Sequence, residues 1–134
     1  MPTTGFDHAV LVLPSMEEAQ TLPRRLGFTT TPRAVHPFGT GNVLAQFDDH
    51  NLEFLAVLDQ EKVAADRPDG FSFARFNRDF LERNGPGFSM TVVKSADRET
   101  DARRFRAAGF VPEPFSFARA AKAPDGSDAQ VSFD

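Results

Sequence analysis

Residues 36–42 read His-Pro-Phe-Gly-Thr-Gly-Asn, which places an imidazole, a hydroxyl and a carboxamide within one short stretch interrupted by two glycines. Gly39 and Gly41 let a backbone approach a ligand, and His36, Thr40 and Asn42 supply donors and acceptors for a polar substrate. The same letters also spell a plain turn over 39–42, with Asn42 bonding its own backbone. Two further groups stand out. His8 opens an apolar run, and its bland reading is a strand histidine hydrogen-bonded near a sheet edge. Glu53 sits between Leu52 and Phe54, where an alternating strand either turns it to solvent or buries it for a purpose. His50, in Asp-Asp-His-Asn, reads as a solvated loop residue.

What the chain lacks narrows the chemistry further. It contains 15 Phe but no Tyr, Trp or Cys. That removes a phenolic acid or base, a thiol nucleophile, a zinc-thiolate site and any disulfide framework. With 15 Lys and Arg against 19 Asp and Glu over 134 residues, the net charge is −4. This suits one compact domain and does not favour a nucleic-acid partner. Gly39-Thr40-Gly41 and Gly85-Pro86-Gly87 lack the strand-to-helix setting of a phosphate loop, and no Ser sits in a Gly-x-Ser-x-Gly elbow. The basic cluster Arg103, Arg104 and Arg106 shares its segment with Glu99 and Asp101 and reads as a solvated helix face. The apolar stretch 9–13 is too short for a signal peptide or a membrane span, so the expectation is a cytoplasmic protein with no membrane partner.

The elements that must position these groups come in two copies. Sliding the chain by 82 positions lays Gly5, Phe6, Val10, Glu17, Arg24, Gly27, Phe28 and Pro32 on Gly87, Phe88, Val92, Glu99, Arg106, Gly109, Phe110 and Pro114, eight identities across residues 5–32 without a gap. Such a period marks a repeated supersecondary unit. In the first copy, 6–13 predicts a buried strand, and Ser15 with Glu18 predicts a capped helix whose apolar stripe is Met16, Ala19, Leu22 and Leu26. Gly27 stops that helix, and Pro23 inside it predicts a kink or an early tightening. Strands follow at 28–31, 42–47 and 51–58, with a turn at 48–51.

In the second copy, 88–93 is the strand, Asp97 the cap, and Ala102, Phe105 and Ala108 the inward stripe of a helix ended by Gly109. Val111 starts a strand, 124–126 is a turn, and 130–133 is another strand. Phe47-Asp48 matches Phe133-Asp134 at an offset of 86, so the partner of Glu53 would fall at position 139. The second unit is therefore expected to lack its last strand. Residues 59–86 predict a helical connector, with a short helix near 59–66 and another through Phe76, Phe80 and Leu81. The domain reading is a first module over 1–58, the connector over 59–86 and an incomplete second module over 87–134.

Taken in order, Phe6-Asp7-His8-Ala9-Val10, Leu26-Gly27-Phe28, His36 to Asn42 and Leu52-Glu53-Phe54-Leu55 resemble the glyoxalase-like branch of the vicinal oxygen chelate superfamily. The resemblance implies an α+β fold of two βαβββ modules forming an open, curved mixed sheet, a half-barrel with the ligand or metal inside its cup. It implies a divalent metal held by a first-strand His and a last-strand carboxylate from each module. His8 and Glu53 match those two positions, a donor pair suited to Zn, Mn, Fe, Ni or Mg. The second half departs from the pattern, with Met90 in place of the His and no strand for the second carboxylate.

Two functions remain open. One is a metal-dependent lyase or isomerase acting on a small oxygenated substrate, with Glu53 as metal ligand and catalytic carboxylate beside His8, and His36, Thr40 and Asn42 holding the substrate. The other is a Phe-lined module that binds or sequesters a small molecule without turnover. An unpaired edge on the last strand predicts a homodimer.

Overall fold

The computed structural model describes residues 5–122 and 125–133. Four strands and a helix make up the first copy: β1 (Gly5–Val12), α1 (Met16–Arg25), β2 (Ala34–Val35), β3 (Thr40–Gln46) and β4 (Asn51–Val57). The connector holds α2 (Gln60–Ala65) and α3 (Phe73–Asn84). The second copy supplies β5 (Gly87–Lys94), α4 (Arg98–Ala107), β6 (Phe117–Lys122) and β7 (Asp128–Phe133). Four of the helices' starts follow one device, a side-chain oxygen of Ser15, Asp59, Ser72 or Asp97 accepting from a backbone N–H three residues on.

A five-stranded mixed sheet runs β2-β3-β4-β1-β5, and β6 and β7 form a separate antiparallel pair. β1 lies parallel to β4 and antiparallel to β5. This is the expected α+β arrangement, with the first halves of the two copies joined along their first strands. The later part of the second copy stands apart as a hairpin with no hydrogen-bonded strand between β5 and β7 among the described residues.

Strand register divides the first copy into two faces. Ala45, Phe54 and Ala56 point with Leu13 toward Met16 and Ala19 of α1, and this packing forms the main core. The opposite face carries Glu53 across from Val10 on β1 and Leu44 on β3, with His8 and Asn42 one pleat away on the same side. A second apolar cluster of Phe38, Val63 and Ala74 packs with Phe73, Phe115 and Phe117 beside that face.

Several local expectations change. Residues 28–31 form no strand of the ladder, although Thr31 still exchanges hydrogen bonds with Leu44 through its backbone N–H and its hydroxyl. The second strand is instead the two-residue β2. Leu26 is exposed beyond the end of α1, where Gly27 takes φ +89. Pro23 stays inside the helix and is buried, and the chain tightens just after it through Gly27 N–H to Arg24 C=O. Val111 starts no strand; β6 begins at Phe117. The stripe expected on α4 is not packed into a core, for that helix buries no residue: Ala102 is partly buried, Phe105 is half exposed and Ala108 is exposed. Pro124 of the expected turn and Asp134 of the repeat match lie outside the described residues.

Candidate functional site

The tight hairpin between β2 and β3 closes with His36 N–H donating to Thr40 C=O at 2.8 Å, so residues 37–39 are the turn and Thr40 to Asn42 belong to β3. The reading of 39–42 as a turn therefore fails. The two glycines serve this packing and not a ligand. A Cβ on Gly39, at φ +94, would meet the Asp59 carbonyl at 2.6 Å, and one on Gly41 would meet Leu58 Cδ1 at the same distance. The hairpin is pressed onto the corner between β4 and α2, where Leu58 and Asp59 N–H groups both donate to Gly39 C=O.

That placement brings four of the candidate side chains onto a fifth. His36 Nδ1 meets Thr40 Oγ1 at 2.7 Å, and Asn42 Nδ2 meets His36 Nε2 at 3.3 Å and Glu53 Oε1 at 2.7 Å. Glu53 Oε2 lies 3.3 Å from His8 Nε2, whose Nδ1 is 2.6 Å from Asp7 Oδ2. The roles follow from donor counting. A carboxylate can only accept, so the Asn42 amide presents its NH2 to Glu53 and also donates to His36 Nε2. His36 is then neutral, with its proton on Nδ1 and donated to Thr40. The result is one continuous polar chain, Thr40-His36-Asn42-Glu53-His8-Asp7, in which every member is at least partly buried.

Its electrostatics split at Asn42. Burial pushes the His8 imidazole down, but hydrogen bonds to Glu53 and Asp7 and their negative charges outweigh this and hold it above the ordinary 6.5. Burial pushes the Glu53 carboxyl up, yet the hydrogen bonds from His8 and Asn42 and the imidazoles of His36 and His8 bring it below the usual carboxylate value. His36 goes the other way: burial holds it low against the pull of Glu53, and the Arg119 charge adds to the lowering. One end of the chain is an ion pair and the other is neutral.

All of the chain but Thr40, which is fully buried behind His36, floors a cavity of about 860 Å³ whose walls include Phe71, Phe73, Met90, Phe115 and Phe117 and which continues past β5 to Arg98 and Phe105 of α4. This volume lies within the range of small-molecule pockets. His8 is not at a sheet edge, since β1 is flanked by β4 and β5, and Glu53 does not face solvent. His50 is absent from this cavity's lining; it stacks on Phe47 at 4.9 Å and bonds Asp49 in the β3–β4 turn.

The metal implied by the resemblance can be tested on the donors. His8 and Glu53 meet, but Met90, paired with Val10 on β5, brings a thioether where a second imidazole would stand. Among the described residues no three His, Cys, Asp or Glu side chains gather closely enough to share an ion. Catalytic sites ordinarily take three protein ligands, so the described residues do not by themselves fit a resident metal. Two features escaped the sequence reading. Asp7 anchors His8, and Arg119 on β6 joins the cavity wall; the first was adjacent in sequence, whereas nothing local marked the second.

The solved structures that resemble this one share its fold at low identity. Methylmalonyl-CoA epimerase from Mycobacterium tuberculosis aligns with TM-score 0.57 and 17% identity over 94% of this chain and 76% of its own. A hypothetical protein from Bacillus halodurans C-125 gives 0.61 and 13% over 94% of this chain and 81% of its own. A hypothetical protein from Staphylococcus aureus gives 0.67 and 17% over 96% of this chain and 50% of its own. Among curated proteins no sequence matches closely enough to add to this. No helix among the described residues is long and apolar enough to cross a membrane. The family model described as a glyoxalase-like domain matches residues 6–134. With the polar chain set on one face of the five-stranded sheet and this match over nearly the whole chain, the protein belongs to the glyoxalase-like domain family.

Proposed function

We propose that this chain is a small-molecule binding module whose ligand lies in the cup with its polar end on Asn42 and its apolar body against the phenylalanines. The observation that carries this reading is the buried Asn42 Oδ1, which has no hydrogen-bond partner at the centre of an otherwise satisfied polar chain. Leaving a buried acceptor unpaired costs about 1–3 kcal/mol, and a ligand hydroxyl or N–H removes that penalty. Turnover is disfavoured by the state of Glu53. A carboxylate held low and already bonded to His8 and Asn42 is a weak proton acceptor.

One observation favours the catalytic reading instead: His8 stands between two carboxylates, the arrangement of an oriented proton carrier. A lyase or isomerase of this kind would use Glu53 as its catalytic carboxylate, and a metal-dependent one would hold its ion on His8 and Glu53. Metal analysis of protein purified without chelator, beside His8→Ala, separates the two. Negligible metal in both supports the binding module, and stoichiometric metal lost on substitution overturns it. Proton NMR of ligand and protein in deuterated buffer gives the second arm, where exchange of a ligand C–H that stops in Glu53→Gln also overturns it.

We further propose a homodimer. Its support is that β5 pairs on one side only among the described residues, with Phe88 and Val93 exposed along it. A monomer by light scattering at millimolar concentration would refute this.

A further inference from the structure

Among the described residues two buried side-chain polar atoms have no hydrogen-bond partner, Asn42 Oδ1 and Arg119 Nε, and both residues line the same cavity. One is an acceptor on the floor and the other a charged donor on the wall. Buried groups of this kind are rarely left unsatisfied in a protein, so a pair of opposite polarity on two residues bordering one space points to a missing occupant.

Arg119 lies two residues after Phe117 on β6, hence on the same side of the hairpin. The Phe117 ring sits 5.8 Å from His36 and 5.1 Å from Phe38, which carries that side into the cup. The hydrogen bond Arg119 does make, Nη1 to the Ala120 carbonyl at 3.4 Å, is long and local. It forms no ion pair with a described carboxylate, and Glu53 is neutralised by His8 instead. The Nε–H of the guanidinium is thus unspent.

We propose that Arg119 binds the carboxylate of the ligand, and that the ligand is a small hydroxy acid with an apolar body. A planar guanidinium matches a carboxylate or a phosphate with two parallel N–H donors. The lining decides between them. Asp7, Glu53, Asp101 and Glu113 border the cavity against Arg98, Arg104 and Arg119, so the lining has no excess of positive charge, a balance that suits a monoanion better than a phosphate dianion. The hydroxyl answers Asn42 Oδ1, and the phenylalanines between the two ends take a ring or an alkyl chain. This inference rests on the cup being a binding site and adds to it the class of ligand and a residue that selects it.

The test is titration calorimetry at pH 6.5 with 3-phenyllactate, its methyl ester, 3-phenylpropionate and phenyl phosphate. Wild-type protein is expected to bind 3-phenyllactate, at least tenfold tighter than the ester and about threefold tighter than 3-phenylpropionate. Arg119→Met is expected to lose tenfold or more for the acid and nothing for the ester, which shows that the variant still folds and binds. Arg119→Lys, which keeps the charge without the fork, should fall between. Equal binding of acid and ester, an unchanged affinity in Arg119→Met, or tighter binding of phenyl phosphate overturns the carboxylate site and leaves the cup standing. If none of the four compounds binds, both the inference and the binding-module reading fall.

Discussion

α1 and α4 begin from matched sequence, yet one is welded to its sheet and the other lies on the surface. α1 buries Met16, Ala19 and Pro23 over β3 and β4, whereas α4 buries nothing. The reason is what lies beneath each. β4 fills the place between β1 and β3 in the first copy, and among the described residues no strand fills the matching place between β5 and the β6–β7 hairpin. A helix acquires its stability from the apolar stripe it covers, so the same local code produces a core in one half and an exposed face in the other. The polar chain follows the same division: all six members belong to the first copy.

The largest expected difference comes from the core. Phe54→Ala should destabilise by about 3–5 kcal/mol, while Phe105→Ala on α4 should cost less than about 1 kcal/mol, both read from urea denaturation. Equal losses would mean that α4 is packed after all. Next is the ion pair. Replacing Glu53 by Leu leaves His8 charged and partly buried beside Asp7 and should cost about 3 kcal/mol. Met90→Leu, at the paired position in the second copy, conserves volume and should stay below about 1.5 kcal/mol.

Gly39→Ala combines positive φ with a Cβ overlapping the Asp59 carbonyl and should cost about 2–3 kcal/mol. Gly109→Ala has a similar φ but open space around it, so about 1 kcal/mol is expected.

The pH profile should show the two ends of the polar chain separately. His8 is raised in the folded state, so its contribution is complete below 6.5 and fades as pH rises through its folded value. His36 is lowered, so its folded neutral form is penalised as pH falls from 6.5 toward its folded value. Glu53 adds a further loss below 4.5. Stability should therefore peak near pH 6.5. His8→Gln should flatten the alkaline limb and, because His8 helps hold Glu53 low, also reduce the loss below 4.5, whereas His36→Gln should act mainly on the upper part of the acid limb; melts in which neither limb responds would contradict the assigned charge states. The smallest effect is local. Amides of α4 should exchange hydrogen faster than those of α1, although both helices carry a side-chain cap.

Sequence alone determined the local grammar of this protein. The repeat, the caps at Ser15 and Asp97, the β3 and β4 strands and the polar residues at 8, 36, 40, 42 and 53 were all legible, because capping, alternation and side-chain chemistry act within a few residues. Tertiary structure decided what those pieces meant. Gly39 and Gly41 were read as room for a ligand and turned out to be room for the β4–α2 corner, since only packing brings Leu58 and Asp59 against them. The stripe on α4 was read as packed inward, yet Ala102 and Phe105 border the cavity without being buried, because a stripe records what a helix can bury and not what is there to cover it. Arg119 had no signal at all: its place beside His36 depends on β6 folding back over the sheet, a contact between residues more than 80 positions apart that no local pattern encodes.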